Sequence, residues 1–567
     1  MRTKLLLFAV VALVLIPMVI SCGGAATPQV VEKTVVETVV VEKEVEKVVE
    51  KTVVETVVVE KEVEVVKEVV VEVTPEAAPA ESASMEPQAG GTLNMSLGPD
   101  FVTFDPFFDV NNRQFKPVFF EAPIRISDAG EFEPWLAESW ELSEDGLSYT
   151  LHLRKGVKFH NGREMTADDV VWSVERAMNE DLGHHLSDRF QTAVGAEKID
   201  DYTVKINYSE VTPSALDGIA RMYIFPQEAA DTIEKMPVGT GPFKMEEWVP
   251  GDRMVAVKFE DYWQEGLPYL DKVVVKPIPD EQSKMLNLMA GSIDALMGVP
   301  LADKSLLEQA PGITVVTSPP GFNFYAFLLN INKPPFDNQK VRQAMNYAID
   351  RDKIIQTAFH GEAIPVVEPY ASTSWAYAED LADFYTYDPE KAKELLAEAG
   401  FPDGFKTSML IRGASGPYLD MAQVYQQDLA AIGVDVEIIP TELPQYWPKL
   451  IGSEFEMVSH GTGEATVDPS GLFQGAACCR PFRNFFGITD DTEWFPKYKE
   501  LSDKAGTTLD QAERKKLYHE ALTILLEQGW TIAVAWNQNV FAYQDTVHNF
   551  RIDMDGAVWL NETWLAQ

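Results

Sequence analysis

Apolar and polar residues alternate in short runs across residues 134–176, and this pattern predicts two β-hairpins followed by a helix. The dipeptides Asp145-Gly146 and Asn161-Gly162 are predicted to form two-residue hairpin turns, because both tolerate positive φ angles. Thr166 is predicted to cap the helix, with Asp169 three positions later at the positive end of the helix dipole.

Farther along the chain, helical patterns alternate with strand patterns. Asp388 is predicted to cap a helix that Gly400 ends, and Thr508 with Gln511 is predicted to open a helix that runs to about Gln528. Helices that alternate with strands indicate a mixed α/β protein in which helices pack on sheets.

The N-terminus has the pattern of an export signal. Arg2 and Lys4 precede an apolar run over residues 5–20, which is short for a membrane-spanning helix. The run ends in VISC, and an aliphatic residue three positions before Cys22 resembles the bacterial lipoprotein cleavage box. Cys22 is therefore the predicted lipidation site, and the alternative is an ordinary signal peptide with a chance cysteine.

Residues 30–73 consist almost entirely of valine, glutamate, lysine and threonine, and the sequence VEKTVVETVVVEKEVE begins at Val31 and again at Val49. The valines are scattered around a helical wheel and do not alternate strictly, so we predict an extended charged stalk. A coiled coil that dimerises the protein is the alternative. A stretch rich in Pro, Ala and Ser over residues 74–91 completes the spacer.

Composition limits the class of protein. Apolar residues make up 46% of the chain and aromatic residues 11%, so the part after the stalk is expected to fold compactly, and its length requires at least two lobes. A formal charge of −41 argues against nucleic acid or an anionic membrane surface as a partner.

The three cysteines do not form a zinc-binding pattern. If Cys22 is lipidated, the adjacent pair Cys478 and Cys479 remains. A disulfide between neighbours is strained, so the pair forms either a vicinal disulfide or two buried thiols, and both alternatives stay open. No metal and no cofactor are predicted.

Six segments resemble, in family order, the extracellular solute-binding proteins of family 5, which serve ABC importers of peptides, nickel and some oligosaccharides. They are the hairpin and helix region 134–176, VGTGPFKMEEW (238–248), EDYWQEGLPYLDKVVVKPIPD (260–280), AGSIDAL (290–296), KPPFDNQKVRQAMNYAIDR (333–351) and YDPEKAKELLAEAGFPDGF (387–405).

The resemblance implies an α/β fold of two lobes that close like a clamshell, with an extra subdomain in lobe one. The predicted parts are a signal peptide (1–21), a stalk and linker (22–90), lobe one (91–321 plus 545–567, with the subdomain at 134–234) and lobe two (322–544).

The implied function is that of a monomeric, membrane-anchored substrate-binding component. It would capture a peptide-like solute by lobe closure and deliver it to the permease and ATPase of an ABC importer, on the outer face of the cytoplasmic membrane. The alternatives are an oligosaccharide-binding member and a surface receptor that presents ligand without transport. An enzyme is not expected, since the sequence has no GxSxG, phosphate-loop or HExxH motif.

Large ligands are usually held by aromatic walls and a few polar anchors. The resemblance places the candidate ligand contacts at Asn323, Tyr325, Trp375, Tyr446, Trp447, Glu464, Asp468, Phe473 and Arg480.

One departure from the family pattern concerns the ligand's ammonium group. Peptide binders of the family carry an aspartate that pairs with this group, and the pattern aligns that aspartate with Ala465. Glu464 or Asp468 is the predicted substitute. His460 is predicted to be a structural strand residue, and no histidine lies in the candidate ligand segment, which makes nickel a weaker choice.

Overall fold

A computed structural model describes residues 86–98, 100–108, 113–318, 324–370, 374–413, 416–462, 467–470, 492–536, 538–553 and 556–566. The predicted signal peptide, the lipidation site Cys22, the repeat segment and the pair Cys478 and Cys479 lie outside the described residues.

The strands in the described residues are numbered in chain order. They are β1 (Thr92–Leu97), β2 (Ile124–Ile126), β3 (Phe132–Pro134), β4 (Ala137–Leu142), β5 (Ser148–Leu153), β6 (Ala193–Asp200), β7 (Thr203–Tyr208), β8 (Phe243–Val249), β9 (Arg253–Lys258), β10 (Lys272–Pro277), β11 (Ala295–Met297), β12 (Ile313–Thr317), β13 (Phe324–Leu329), β14 (Ile364–Pro365), β15 (Lys406–Arg412), β16 (Asp435–Thr441), β17 (Met457–Thr462), β18 (Thr531–Trp536), β19 (Val540–Gln544), β20 (Val547–His548), β21 (Arg551–Ile552), β22 (Val558–Trp559) and β23 (Trp564–Leu565).

The helices are numbered in the same way. They are α1 (Lys116–Phe119), α2 (Ala167–Ala177), α3 (Ala215–Arg221), α4 (Glu281–Met289), α5 (Lys304–Glu308), α6 (Gln339–Tyr347), α7 (Arg351–Ala358), α8 (Pro389–Glu398), α9 (Pro417–Ala430), α10 (Leu443–Ile451), α11 (Phe495–Gly506) and α12 (Gln511–Glu527).

Two mixed sheets form the centres of the two lobes. The first has the order β12-β19-β11-β1-β10-β9-β8, and the second has the order β14-β18-β13-β17-β15-β16. The second sheet is buried on both faces, because alternate residues of β13 enter different cores: Phe324, Ala326 and Leu328 on one side, Phe327 and Leu329 on the other.

A four-stranded antiparallel sheet of order β4-β5-β7-β6 lies within the segment predicted as the extra subdomain. Its core side chains, such as Leu151 and Val204, belong to the same buried cluster as Leu93 and Met95 of β1. The small sheet is therefore packed onto the first lobe through a continuous apolar core.

The chain returns to the first sheet earlier than the predicted boundary at 544/545. Strand β19 was assigned to lobe two, but it pairs antiparallel with β11 and β12 in the first sheet. The apolar alternation of the strand fits either sheet, and only the pairing decides between them. The other predicted boundaries stay predictions.

The first hairpin turn was predicted to have two residues and is longer. Strand β4 ends at Leu142 and β5 begins at Ser148. The Oδ1 atom of Asp145 accepts hydrogen bonds from the Ser143 hydroxyl (2.6 Å) and from the Leu147 amide (3.0 Å), which stabilises the wider loop.

The second predicted turn is tight: the Gly162 amide donates to the Phe159 carbonyl (2.8 Å), and Gly162 has φ of 88°. Its flanks form only an isolated bridge between Lys158 and Glu164 rather than two strands. The second hairpin is therefore shorter than predicted.

The predicted helix starts were right in two of three cases. Thr166 and Asp169 form a capping box at α2, and the Asp388 side chain accepts from the Lys391 amide at α8. At α12 the N-cap is Asp510, whose carboxylate accepts from the Glu513 amide at 2.7 Å, and not Thr508.

Candidate functional site

The two sheets meet at the edges where the chain crosses between them. In the first sheet, β12 and β11 both pair antiparallel with β19, and β11 and β10 pair parallel with β1. The carboxyl ends of β1, β10, β11 and β12 therefore lie on one edge. This edge faces the second lobe, because β12 leads into the first crossing.

The second sheet presents the matching edge. Strand β13 starts after the first crossing, and β18 and β17 run antiparallel to it. Strand β15 is parallel to β17, and β16 is parallel to β15. The carboxyl ends of β15, β16, β17 and β18 therefore lie on the same edge of the second sheet as Phe324. We call this edge, which is directed toward the first lobe, the cleft edge. In open α/β sheets, ligands bind outside the carboxyl ends of strands.

A group of polar and aromatic side chains occupies the cleft edge of the second sheet, and we call it the edge cluster. The half-buried Tyr325 ring lies 5.5 Å from that of Tyr418 and 4.8 Å from that of Phe359. The Arg412 guanidinium, at the end of β15, lies 5.0 Å from the centre of the Tyr418 ring. These contacts place a cation over an aromatic face at the carboxyl end of β15.

The remaining members of the edge cluster are His460 and Trp447. His460 Nδ1 is 2.7 Å from the Tyr446 hydroxyl, and the Trp447 ring meets the His460 ring edge-on at 5.7 Å. Burial, and then the charge of Arg412, lowers the pKa of His460 to about 4, so this side chain is neutral at neutral pH. His460 lies in β17, and its prediction as a strand residue is confirmed.

A second group, the Arg514 cluster, contains Trp375, Asp468, Arg514 and Tyr518. Both carboxylate oxygens of Asp468 accept from the Arg514 guanidinium, at 2.7 and 2.8 Å, and Arg514 also donates to the Ala505 carbonyl and the Tyr518 hydroxyl. Trp375 packs over the Arg514 guanidinium at 5.3 Å.

Two predicted ligand contacts are buried and have partners within the protein. Asp468 is 7% exposed, and both of its carboxylate oxygens pair with Arg514. Tyr446 is fully buried, because it projects from the inner face of α10 toward His460.

Other predicted contacts have mixed positions. Tyr325 lies at the cleft edge, Trp447 is 40% exposed, and Trp375 is half-buried against Tyr518. The predicted contacts outside the described residues are Asn323, Glu464, Phe473 and Arg480.

The lobes touch on both sides of the cleft edge. The Lys304 ammonium of α5 lies 2.5 Å from the Glu362 carboxylate, just before β14. On the other side, the Val467 amide donates to the buried Asp217 carboxylate of α3 at 3.1 Å. The second lobe is thereby connected to the first lobe by an ion pair and a hydrogen bond.

Within the described residues, no helix is both long and apolar enough to cross a bilayer. The same residues contain no group of three or more His, Cys, Asp or Glu side chains arranged to hold a metal ion.

Two lobes joined by paired crossings, with polar and aromatic groups at the facing sheet edges, define a solute-binding protein. The chain belongs to the bacterial extracellular solute-binding proteins of family 5, since the family model described as "Bacterial extracellular solute-binding proteins, family 5 Middle" matches residues 131–484. It is thus a substrate-binding protein of the ABC importer type.

Several known proteins are similar over most of their length. Heme-binding protein A of Haemophilus influenzae is 34% identical over 437 residues, which are 71% of this chain and 79% of that protein. Glutathione-binding protein GsiB of Salmonella typhimurium is 32% identical over 484 residues, 81% of this chain and 92% of that one. These relatives are solute-binding proteins, which confirms the prediction that the chain is not an enzyme.

A solved structure with the same fold is the periplasmic binding protein DppA of Helicobacter pylori, in complex with the peptide STSA. It is 30% identical and has a TM-score of 0.73, with coverage of 85% of this chain and 99% of that one. The two-lobed α/β fold predicted from the sequence is confirmed.

Sequence reasoning missed Arg412, Tyr418 and the role of His460 at the cleft edge. Arg412 is the last residue of a strand before Gly413, a position that becomes meaningful only when the strand's direction in the sheet is known. The available signal was a charged residue at the carboxyl end of an apolar strand.

Proposed function

We propose that the protein is a membrane-anchored component of an ABC importer that captures a peptide-like solute between its lobes and delivers it to the permease. The observation that carries this proposal is the edge cluster, in which Arg412 and the rings of Tyr325 and Tyr418 lie together at the cleft edge of the second sheet. Such a mixture of one charge and several aromatic faces suits a polar organic solute.

Support for a peptide-like ligand also comes from the relatives. The similar proteins are described as binding a tetrapeptide, glutathione and heme, and glutathione is itself a peptide. An oligosaccharide stays the alternative ligand, because Trp447 is 40% exposed, although Tyr446 is buried and Trp375 packs on Arg514.

Lobe closure is supported by the contacts between lobes. A ligand that touches both lobes favours the closed state only as far as it binds that state more tightly. The ion pair between Lys304 and Glu362 and the hydrogen bond from Val467 to Asp217 join the two lobes, and contacts of this kind would stabilise a closed state.

Ligand binding is tested by thermal unfolding of the purified protein with the tetrapeptide Ser-Thr-Ser-Ala, glutathione, hemin and cellotetraose. We expect the two peptides to raise the unfolding midpoint, because a ligand specific for the folded state stabilises it. A rise with cellotetraose alone would contradict the proposal.

Anchoring is tested by a Cys22→Ser variant in cells labelled with radioactive palmitate. We expect the variant to lose both the label and its membrane association, because two or three acyl chains are needed for a stable anchor. The matched control is Cys478→Ser, which should keep both. Equal labelling of Cys22→Ser and wild type would disprove anchoring through this residue.

A further inference from the structure

We propose that Asp217, in the segment predicted as the extra subdomain, is a positioning residue that slows ligand release. It acts through the Val467 amide, which it holds from the opposite lobe. The inference rests on the proposed binding function and adds a residue that couples retention of the ligand to contact between the lobes.

The carboxylate of Asp217 connects the two lobes. It belongs to α3 and is 1% exposed. Its Oδ2 atom accepts from Arg189 Nη1 at 2.5 Å and from Arg221 Nε at 3.4 Å, both in the first lobe. Its Oδ1 atom accepts from the Val467 amide of the second lobe at 3.1 Å. The two arginines therefore fix the carboxylate, and its Oδ1 atom serves the second lobe.

The residues that follow Val467 are anchored in the second lobe. Asp468 pairs with Arg514 through both carboxylate oxygens, and the Pro469 carbonyl accepts from the Tyr370 hydroxyl at 3.2 Å. This short segment is thus held by the second lobe at two adjacent positions and by the first lobe at Val467. Separation of the lobes must break the hydrogen bond at Val467 and can leave the other contacts intact.

Close packing accompanies this hydrogen bond. Val467 is 8% exposed, and a Cβ added to Gly130, between β2 and β3, would lie 3.6 Å from Val467 Cγ1. In the loop between β4 and β5, a Cβ added to Gly146 would lie 3.3 Å from Leu509 Cδ1, just before α12 of the second lobe. Because both partners of the hydrogen bond are buried, it is stronger than the same bond would be in water.

The position of Val467 in the chain connects the contact with the ligand. Val467 lies two positions after Ala465, which the family pattern aligns with the ammonium-binding aspartate. Asp217 therefore fixes, from the first lobe, backbone that is close in sequence to a ligand-binding position of the second lobe. A ligand held near this backbone should leave more slowly while the hydrogen bond is formed.

The test measures the rate of ligand release. Stopped-flow tryptophan fluorescence of the full chain follows association and dissociation of Ser-Thr-Ser-Ala and of glutathione. We expect Val467→Pro, which removes the amide donor, and Asp217→Ala, which removes the acceptor, to release both ligands roughly 3- to 10-fold faster, the effect of one lost hydrogen bond. Association rates should change by less than about 2-fold, since the contact forms after the ligand has entered.

A double-mutant cycle distinguishes this role from general destabilisation. Val467→Pro combined with Asp217→Ala should release ligand no faster than either single variant, because both changes remove the same contact. The matched control is Asp428→Ala: Asp428 is 4% exposed and accepts an amide hydrogen bond from Asp350 at 3.3 Å, but within the second lobe. This variant should release ligand at the wild-type rate. Urea denaturation shows that each variant is folded.

The outcomes separate the inference from the proposed function. A wild-type release rate in Asp217→Ala, or effects that add in the double variant, overturns the role of Asp217 and leaves peptide binding intact. Failure of wild type to bind either peptide overturns the peptide-like function. Hydrogen exchange of the ligand-free protein then tests the contact alone: the Val467 amide should exchange roughly 10-fold faster in Asp217→Ala than in wild type, and equal exchange overturns the inference as well.

Discussion

The edge cluster and the Arg514 cluster both place a guanidinium over aromatic rings in the second lobe, yet they use the charge differently. Arg514 lies 5.5 Å from the Tyr518 ring and forms two short hydrogen bonds with Asp468. Arg412 lies 5.0 Å from the Tyr418 ring at the open end of a strand. One cation is paired with a carboxylate inside the lobe, and the other stacks on an aromatic ring at the end of a strand.

The comparison shows that charge and sequence neighbourhood do not identify a binding residue. Asp468 lies in the segment that the family pattern associates with ligand, but its hydrogen-bonding capacity is used by Arg514 and by the Ser470 amide. A buried charged group costs free energy unless it is paired, so the pairing of each charge decides its role.

The largest expected effect distinguishes the two arginines by stability. Arg514→Gln should lower the free energy of unfolding by roughly 3–5 kcal/mol, because it leaves the buried Asp468 carboxylate without its cation. Arg412→Gln, at a half-exposed edge, should change it by less than about 1 kcal/mol. Urea denaturation of both variants measures the difference.

The double variant Asp468→Asn with Arg514→Gln provides the control, because it removes both charges. It should be less destabilised than the sum of the two single changes. If Arg514→Gln and Arg412→Gln lowered the free energy of unfolding equally, the proposed difference between a buried, ion-paired arginine and an arginine at the cleft edge would be wrong.

A third buried titratable group, Glu368, sharpens the comparison, because no cation of the described residues is in direct contact with it. Glu368 is 1% exposed, and within the part of the chain that the structure describes its carboxylate accepts only from the amides of Tyr370 (2.7 Å) and Ala378 (3.3 Å). Burial raises the pKa of Glu368 to about 8, although the two amides and the charge of Lys515 oppose the shift.

The sign of the pH effect follows from the raised pKa of Glu368. Its unfolded pKa is 4.5, so between that pH and about 8 the folded state holds a proton that the unfolded state has released. The contribution to stability is full below the unfolded pKa and is lost as the pH rises through the folded pKa. Wild type should lose on the order of 5 kcal/mol across this window.

Glu368→Gln should flatten this part of the profile, because glutamine stays neutral throughout. Urea denaturation in steps from about pH 5 to 8 measures the slope. Glu394→Gln, an exposed residue of α8, is the control and should keep the wild-type slope. A wild-type slope in Glu368→Gln would show that other groups carry the pH dependence.

The elements that could be predicted from the sequence are those fixed by local interactions. The helix starts at Thr166 and Asp388 depend on side-chain bonds to amides within three residues, and these are visible in the order of residues. The predicted start of α12 was wrong because Asp510, two residues after Thr508, is the stronger acceptor and caps the helix.

The site was predicted less well because it depends on contacts between residues far apart in the chain. Arg514 is 46 positions from Asp468, and nothing in either local sequence indicates the pairing. Arg412 became a candidate only when the direction of β15 in the sheet was known. Family motifs therefore predicted the lobes, whereas the roles of individual charges required the three-dimensional structure.

The smallest expected effect concerns closure of the lobes around the edge cluster. Lys304 of the first lobe contacts Glu362 of the second at 2.5 Å and Glu308 of its own helix at 3.6 Å. The Lys304 side chain is 15% exposed and that of Glu362 is 26% exposed, so the ion pair is only partly screened by water. Only the pair with Glu362 is broken when the lobes separate.

Glu362→Gln should weaken the binding of every ligand by roughly 2- to 5-fold, because a pair of this kind contributes about 1 kcal/mol or less to the closed state. Titration calorimetry measures the change, and Glu308→Gln, which alters a pair within one lobe, is the matched control. If Glu362→Gln and Glu308→Gln bound the ligand equally well, the ion pair between Lys304 and Glu362 would not couple lobe closure to binding. Closure would then depend on the contacts around Asp217 instead.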